Sequence, residues 1–128
     1  MGHPFLVQET SGKTLELAEC KPVFLHLHDT EGKGLANALA ALQVGIAHFD
    51  AALGGMGGCP FVKSASGNIA TEDLAFMLKQ MGVGTGIDVL ALPQIIADLE
   101  RIFEKRFPGK MGGILTNKEI RVVEGPSE

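Results

Sequence analysis

The sequence predicts an α/β fold in which two parallel strands are joined by a helix. Two apolar runs, "PVFLHLHDT" at 22–30 and "IAHFDAAL" at 46–53, have the length and composition of strands. Between them lies "GLANALAALQVG", rich in Ala and Leu and ended by Gly45, which predicts a buried helix. Strand, helix and strand in this order form a βαβ unit with a right-handed crossover.

A second helix is predicted over "TEDLAFMLKQMG", 71–82, after a glycine-rich segment. Thr71 is a candidate N-cap, Glu72 and Asp73 suit the positive end of the helix, and Gly82 ends it. Its apolar stripe has helical spacing and consists of Leu74, Met77, Leu78 and Met81.

A last helix is predicted from about Val89 to Phe107, with Pro93 breaking or delaying its first turn. Residues 1–22 are weakly patterned and receive no element. The C-terminal part, 108–128, is expected to be a loosely held tail.

Composition limits the class of protein. The chain has 128 residues, a net charge of −4 and a pI near 5.5, so we expect one domain at most and no nucleic acid as main partner. The apolar runs are too short to span a membrane, and "MGHPFLVQETSGK" lacks the pattern of a signal peptide. Two cysteines do not make a disulfide framework, so a cytoplasmic location is expected.

His26 and His28 are candidate metal ligands. They occupy positions i and i+2 of a predicted strand, so both side chains leave the same face. Two imidazoles on one face can bind a divalent metal together. The alternative is a pair of histidines hydrogen-bonded in a polar layer, and the H-x-H pattern does not decide between the two.

The segment "GGMGGCPFVKSASGN", 54–68, holds two further candidates, Cys59 and Asn68, and a third candidate precedes it. Cys59 is either a small buried apolar residue or an exposed, reactive thiol. Asn68 is either a turn or cap residue or an oxygen ligand for a metal. Asp50 precedes the segment and could face a barrel interior or cap a helix. The "GVGTG" at 82–86 fits no phosphate-binding loop, so no nucleotide site is predicted.

Three stretches together resemble the hydroxymethylglutaryl-CoA lyases, a family of metal-dependent TIM-barrel lyases. They are "HLHDTEGKGLANALAALQVG", "FDAALGGMGGCPF" and "SASGNIATEDLAFMLKQMG". H-x-H-D-T marks the wider superfamily, whereas G-G-C-P-F before S-G-N-x-A-T-E-D-L is similar to the lyase branch. The resemblance covers roughly Val23 to Leu92.

The resemblance implies a role for each matching residue. His26, His28 and Asn68 would be ligands of Mg²⁺ or Mn²⁺, and Cys59 and His26 would be catalytic. The implied reaction is retro-Claisen cleavage of 3-hydroxy-3-methylglutaryl-CoA to acetyl-CoA and acetoacetate, with Cys59 as the acid that protonates the enolate. A lyase for another branched 3-hydroxyacyl-CoA, or a non-catalytic metal-binding or assembly fragment, are the alternatives.

The chain is short for that family. A TIM barrel needs about 250 residues, and 23–107 matches the last two βα units with the C-terminal helices. We therefore expect a partial TIM barrel. The family's Arg-Asp pair on the first strand and Glu on the second have no counterpart here, so the isolated chain is expected to be inactive. Its partners would be an acyl-CoA substrate and either a second copy or a complementing N-terminal fragment.

Overall fold

The computed structural model describes residues 4–58 and 67–116, without the side chains of 4–6. It confirms the α/β class. The elements in chain order are α1 Pro4–Leu17, β1 Phe24–His26, α2 Gly34–Gln43, β2 His48–Asp50, a 3₁₀ turn Leu53–Gly55, α3 Thr71–Gln80, α4 Leu92–Ile102 and α5 Met111–Thr116. No helix in the described ranges is long and apolar enough to cross a membrane.

The predicted βαβ unit is confirmed, with shorter strands than the apolar runs suggest. β1 and β2 pair in parallel, and His26 lies opposite Asp50. Beyond these three-residue strands the backbone bonds to a different segment: Ile69 donates to Leu27 O at 3.0 Å, and Ala52 donates to Ile69 O at 3.0 Å. The segment before α3 therefore takes the pairing positions that a longer strand would use.

The two faces of this sheet differ in character. Leu25 and Phe49 pack against a buried core formed by Leu27, Ala38, Ile69, Leu74 and Leu78. The opposite face carries Phe24, His26, His48 and Asp50, and the Phe24 and His48 rings stack with centroids 4.7 Å apart. All four of these side chains are on the exposed or half-exposed side of the sheet, which places the polar pair His26 and Asp50 at its carboxyl end.

Helices α2, α3 and α4 were predicted from the sequence, with corrections at their ends. The N-cap of α3 is Ala70 and not Thr71, because Thr71 is already helical and its N–H donates to Ala52 O at 2.9 Å. Pro93 lies in the first turn of α4, so the helix begins at Leu92. It ends at Ile102, earlier than the predicted Phe107.

Two helices had no counterpart in the sequence analysis. α1 lies within 1–22, where no element was assigned, and packs along α2. α5 lies within the predicted loose tail, yet the described part of that tail is anchored. Lys110 and Met111 donate backbone N–H groups to Asp73 Oδ1 at 3.0 and 2.7 Å. Gly109 donates to Gly54 O at 2.8 Å.

Candidate metal site

The two histidines of the H-x-H pattern meet at the carboxyl end of β1. Leu27 between them is buried in the core, so alternation along the extended chain turns both imidazoles to the other side. His26 Nε2 lies 3.0 Å from His28 Nε2, and the rings are inclined at 74°. Two ligands at about 2.1 Å from one cation, at a right angle, would be about 3.0 Å apart. The pair therefore has the spacing of two neighbouring ligands, and equally that of a hydrogen bond between the two rings, so the distance agrees with both alternatives given by the sequence.

Asp50 is the charged neighbour of this pair. The sequence allows Asp50 either to face a barrel interior or to cap a helix. In the structure Asp50 lies on the open sheet face beside His26. Its Oδ1 contacts His26 Nδ1, the ring nitrogen that does not face His28. This contact depends on the parallel register of β1 and β2, which the amino-acid pattern alone does not reveal.

Asn68 is brought to the histidines through the backbone. It forms an antiparallel bridge with His28, and Asp29 N donates to Gly67 O at 3.0 Å. The half-buried side chain donates from Nδ2 to Met56 O at 3.0 Å, which fixes the plane of the amide. Asn68 is not the cap of α3, since that position belongs to Ala70. Its side-chain oxygen is the atom that would coordinate a hard cation.

The glycine turn before position 59 is shaped by close contacts. Gly54 and Gly57 have φ of +66° and +95°, which side-chain-bearing residues rarely adopt. A Cβ on Gly54 would lie 2.6 Å from the Phe107 ring, and a Cβ on Gly57 would lie 2.7 Å from Asn68 Nδ2. Cys59, the predicted catalytic thiol, lies outside the described residues.

Glu72 is a buried residue that sequence reasoning assigned only to the helix dipole. It is 0% exposed, and its Oε2 accepts a hydrogen bond from Gly54 N at 3.0 Å. Burial raises the pKa of this carboxyl above its ordinary 4.5, and the nearby acids Asp73 and Glu100 act in the same direction. A glutamate in the first turn of a helix carries no sequence signal for such a tertiary contact.

These residues fit part of a divalent-cation shell. Two imidazole nitrogens and one amide oxygen are neutral donors that Mg²⁺ or Mn²⁺ accepts, although hard cations favour anionic oxygen as well. Within 4–58 and 67–116, no group of three or more His, Cys, Asp and Glu side chains is arranged to hold a metal ion. The described part of the chain thus offers a partial ligand set without an anionic member.

A family model described as HMGL-like matches residues 10–99, from within α1 to the middle of α4. The chain belongs to the HMGL-like family. The resemblance seen in the three motif stretches is confirmed at this level, and the matched range also includes residues 10–22 of the N-terminal segment.

Three relatives illustrate the match. The chain is 63% identical over 70 residues to (R)-citramalyl-CoA lyase of Chloroflexus aurantiacus, covering 55% of this chain and 22% of that protein. It is 42% identical over 92 residues to mitochondrial hydroxymethylglutaryl-CoA lyase of Gallus gallus, covering 72% and 31%. A solved HMG-CoA lyase from Acinetobacter baumannii, in complex with coenzyme A and 3-methylmalate, superposes with a TM-score of 0.85 at 41% identity. That match covers 96% of this chain and 40% of the solved one, so this chain spans less than half of each relative.

Proposed function

We propose that this chain is part of a carbon–carbon lyase that cleaves a branched 3-hydroxyacyl-CoA, with 3-hydroxy-3-methylglutaryl-CoA as the first candidate substrate. The observation that carries the proposal is the pair of facing Nε2 atoms of His26 and His28 beside Asn68, in a chain of the HMGL-like family. Mg²⁺ or Mn²⁺ is the proposed cofactor, and when bound it would polarise the substrate's oxygens.

The proposed ligands are His26 Nε2, His28 Nε2 and the side-chain oxygen of Asn68. Because Nδ1 of His26 is engaged by Asp50 and Nε2 faces His28, neither ring nitrogen is left as a free base. The proposed catalytic role of His26 is therefore to bind the cation. The base that takes the hydroxyl proton would lie elsewhere in the complete enzyme.

The proposed reaction balances as a retro-Claisen cleavage. A base removes the proton of the tertiary hydroxyl, the oxygen becomes the ketone of acetoacetate, and the electron pair of the broken carbon–carbon bond passes to the acetyl-CoA enolate. Cys59 is the proposed acid that protonates the enolate carbon. The glycine turn before Cys59 is hydrogen-bonded to Glu72 and lies against Phe107. This turn would fix the point from which the segment carrying Cys59 extends toward the substrate.

The partial TIM barrel is the proposed setting of this site. β1 and β2 would be the last two strands, with the open face of Phe24, His26, His48 and Asp50 turned to the barrel interior. The remaining strands would come from a complementing N-terminal segment or, less completely, from a second copy. A cytoplasmic location stays a prediction, since the Gallus gallus relative is named mitochondrial.

A second candidate substrate is favoured by a specific match. The relative from Chloroflexus aurantiacus, at 63% identity, is named for (R)-citramalyl-CoA. Another branched 3-hydroxyacyl-CoA therefore competes with hydroxymethylglutaryl-CoA as substrate. A non-catalytic metal-binding or assembly fragment is the alternative from a different class, and it predicts no cleavage under any condition.

The proposal is tested by adding the barrel strands that this chain would need for a complete site. The chain is mixed with a segment carrying strands one to six of the Acinetobacter baumannii lyase, and acetyl-CoA release from both substrates is measured with Mn²⁺ or with chelator. We expect no useful turnover by the chain alone, metal-dependent turnover by the mixture, and loss of that turnover in Cys59→Ser. Efficient release by the chain alone, or Mn²⁺-independent release, would contradict the proposal.

A further inference from the structure

His26 uses its two ring nitrogens in opposite directions. Nδ1 contacts Asp50 Oδ1, whereas Nε2 lies 3.0 Å from His28 Nε2. Because Asp50 is the residue opposite His26 in the parallel register, its carboxylate and the imidazole leave the same sheet face side by side. An ionised carboxylate only accepts hydrogen bonds, so in this contact the ring hydrogen must be on Nδ1.

We infer that Asp50 is a positioning residue, which fixes His26 as the Nδ1–H tautomer with the Nε2 lone pair directed toward His28. The inference rests on the proposed function, because it concerns the same candidate metal site. A ligating imidazole whose second nitrogen donates to a carboxylate is held in orientation and is a more basic ligand. Asp50 thereby compensates in part for a ligand set without an anionic member.

Direct ligation by Asp50 is the competing role. The two nitrogens of an imidazole lie on opposite sides of the ring, and the carboxylate occupies the Nδ1 side. A cation shared by the two Nε2 atoms would lie on the other side. Asp50 can therefore either keep its contact with His26 Nδ1 or break that contact to bind the cation. The observed contact favours the first role.

The first test needs no metal. In ¹⁵N-labelled chain with chelator present, the ring-nitrogen chemical shifts of His26 report which nitrogen carries the hydrogen, with His26→Ala for assignment. We expect the Nδ1–H tautomer in the wild type and in Asp50→Asn, whose side-chain oxygen can still accept. Asp50→Ala should shift His26 toward the Nε2–H tautomer. An unchanged tautomer in Asp50→Ala would overturn the inference.

The second test measures Mn²⁺ affinity of the full chain by calorimetry. Loss of a carboxylate that supports a ligating histidine typically weakens binding about 10–100-fold, which we expect for Asp50→Ala. We expect a smaller loss for Asp50→Asn, which retains the acceptor and is isosteric, so it also guards against misfolding. Asp98→Ala removes an exposed carboxylate from α4 and is the charge-matched control, expected to bind as wild type.

The outcomes separate this inference from the proposed function. If His26→Ala binds Mn²⁺ as well as wild type, the proposed metal site is wrong, whatever the tautomer result. If His26→Ala loses binding and Asp50→Ala does not, the site stands and the inference is overturned. Equal losses in Asp50→Ala and Asp50→Asn with an unchanged tautomer would assign Asp50 to the metal shell itself, which also overturns the positioning role.

Discussion

At the scale of single residues, the approach of Gly57 to Asn68 ties the glycine turn to the candidate metal site. A methyl group on Gly57 would lie 2.7 Å from Asn68 Nδ2, inside the contact limit of real side chains. The same turn provides Met56 O, the acceptor of the Asn68 amide. The orientation of one proposed ligand therefore depends on a residue that carries no side chain.

Gly57→Ala tests that dependence. Its φ of +95° costs a side-chain-bearing residue about 1–2 kcal/mol, and the new methyl must displace the Asn68 amide. We expect lower stability in urea unfolding and weaker Mn²⁺ binding by calorimetry. Gly58→Ala is the matched control, because a methyl there meets no described atom within 4 Å. Similar behaviour of the two variants would show that the close approach has no bearing on the site.

At the scale of elements, the start of α3 joins the glycine turn to the C-terminal segment. Glu72 accepts from Gly54 N, and Asp73 accepts from the backbone N–H groups of Lys110 and Met111 at the start of α5. Gly54 is held on its other side by Gly109, which donates to its carbonyl oxygen. Two adjacent acids of one helix turn therefore hold segments that are distant in sequence.

Glu72 gives this junction a pH dependence. Its raised pKa means that the folded state holds the proton more tightly than the unfolded chain, so stability is lost as pH rises from 4.5 through the folded-state pKa. The Glu72→Gln side chain cannot ionise. In urea titrations, the free energy of unfolding of Glu72→Gln should therefore increase relative to that of wild type as the pH rises. Glu72→Ala removes the acceptor of Gly54 and should cost about 1–3 kcal/mol. Glu16→Gln on α1 is the control, and a pH-independent difference for Glu72→Gln would contradict this account.

Sequence patterns predicted the elements whose signals are local. α2 and α3 have strong apolar spacing with glycine stops, and Pro93 marks the first turn of α4. α1 contains Ser11 and Gly12, poor helix formers, and is held by its packing on α2. α5 has two glycines in six residues and depends on Asp73, which is far away in sequence.

In the candidate site, too, only the features with a local sequence signal were predictable. The shared face of His26 and His28 follows from the two-residue period of a strand and was predicted. The contacts of Asp50 and Glu72 depend on strand register and chain crossover, which single-residue patterns do not encode. A shift of one residue between β1 and β2 would place Phe49 opposite His26 and remove the carboxylate from the imidazole.

At the scale of the whole molecule, the described part of the chain exposes a sheet face that a complete barrel would enclose. Phe24 is 66% exposed and stacks on His48, on the same face as the candidate metal site. Large apolar side chains in such a position favour association. The match to the solved Acinetobacter baumannii lyase covers 96% of this chain and 40% of that one.

We expect the isolated chain to self-associate through this face. Phe24→Ser should lower the sedimentation coefficient at a given concentration, because it removes the exposed ring. Phe103→Ser, at the end of α4 and 60% exposed, is the matched control and should have little effect. Addition of the complementing segment of a related lyase should also reverse the association. A wild-type chain that sediments as a monomer at all concentrations would rule out this use of the face.

We propose that the carboxyl ends of β1 and β2 hold part of a divalent-cation site. Mn²⁺ calorimetry on wild type, His26→Ala, His28→Ala and the control His48→Ala tests it most directly, since His48 lies on the same sheet face without facing the pair. We predict weak binding by the wild type, because the donors are neutral, retained binding in His48→Ala, and loss of binding in each of the other two variants. Tight binding that survives both His26→Ala and His28→Ala would contradict the claim.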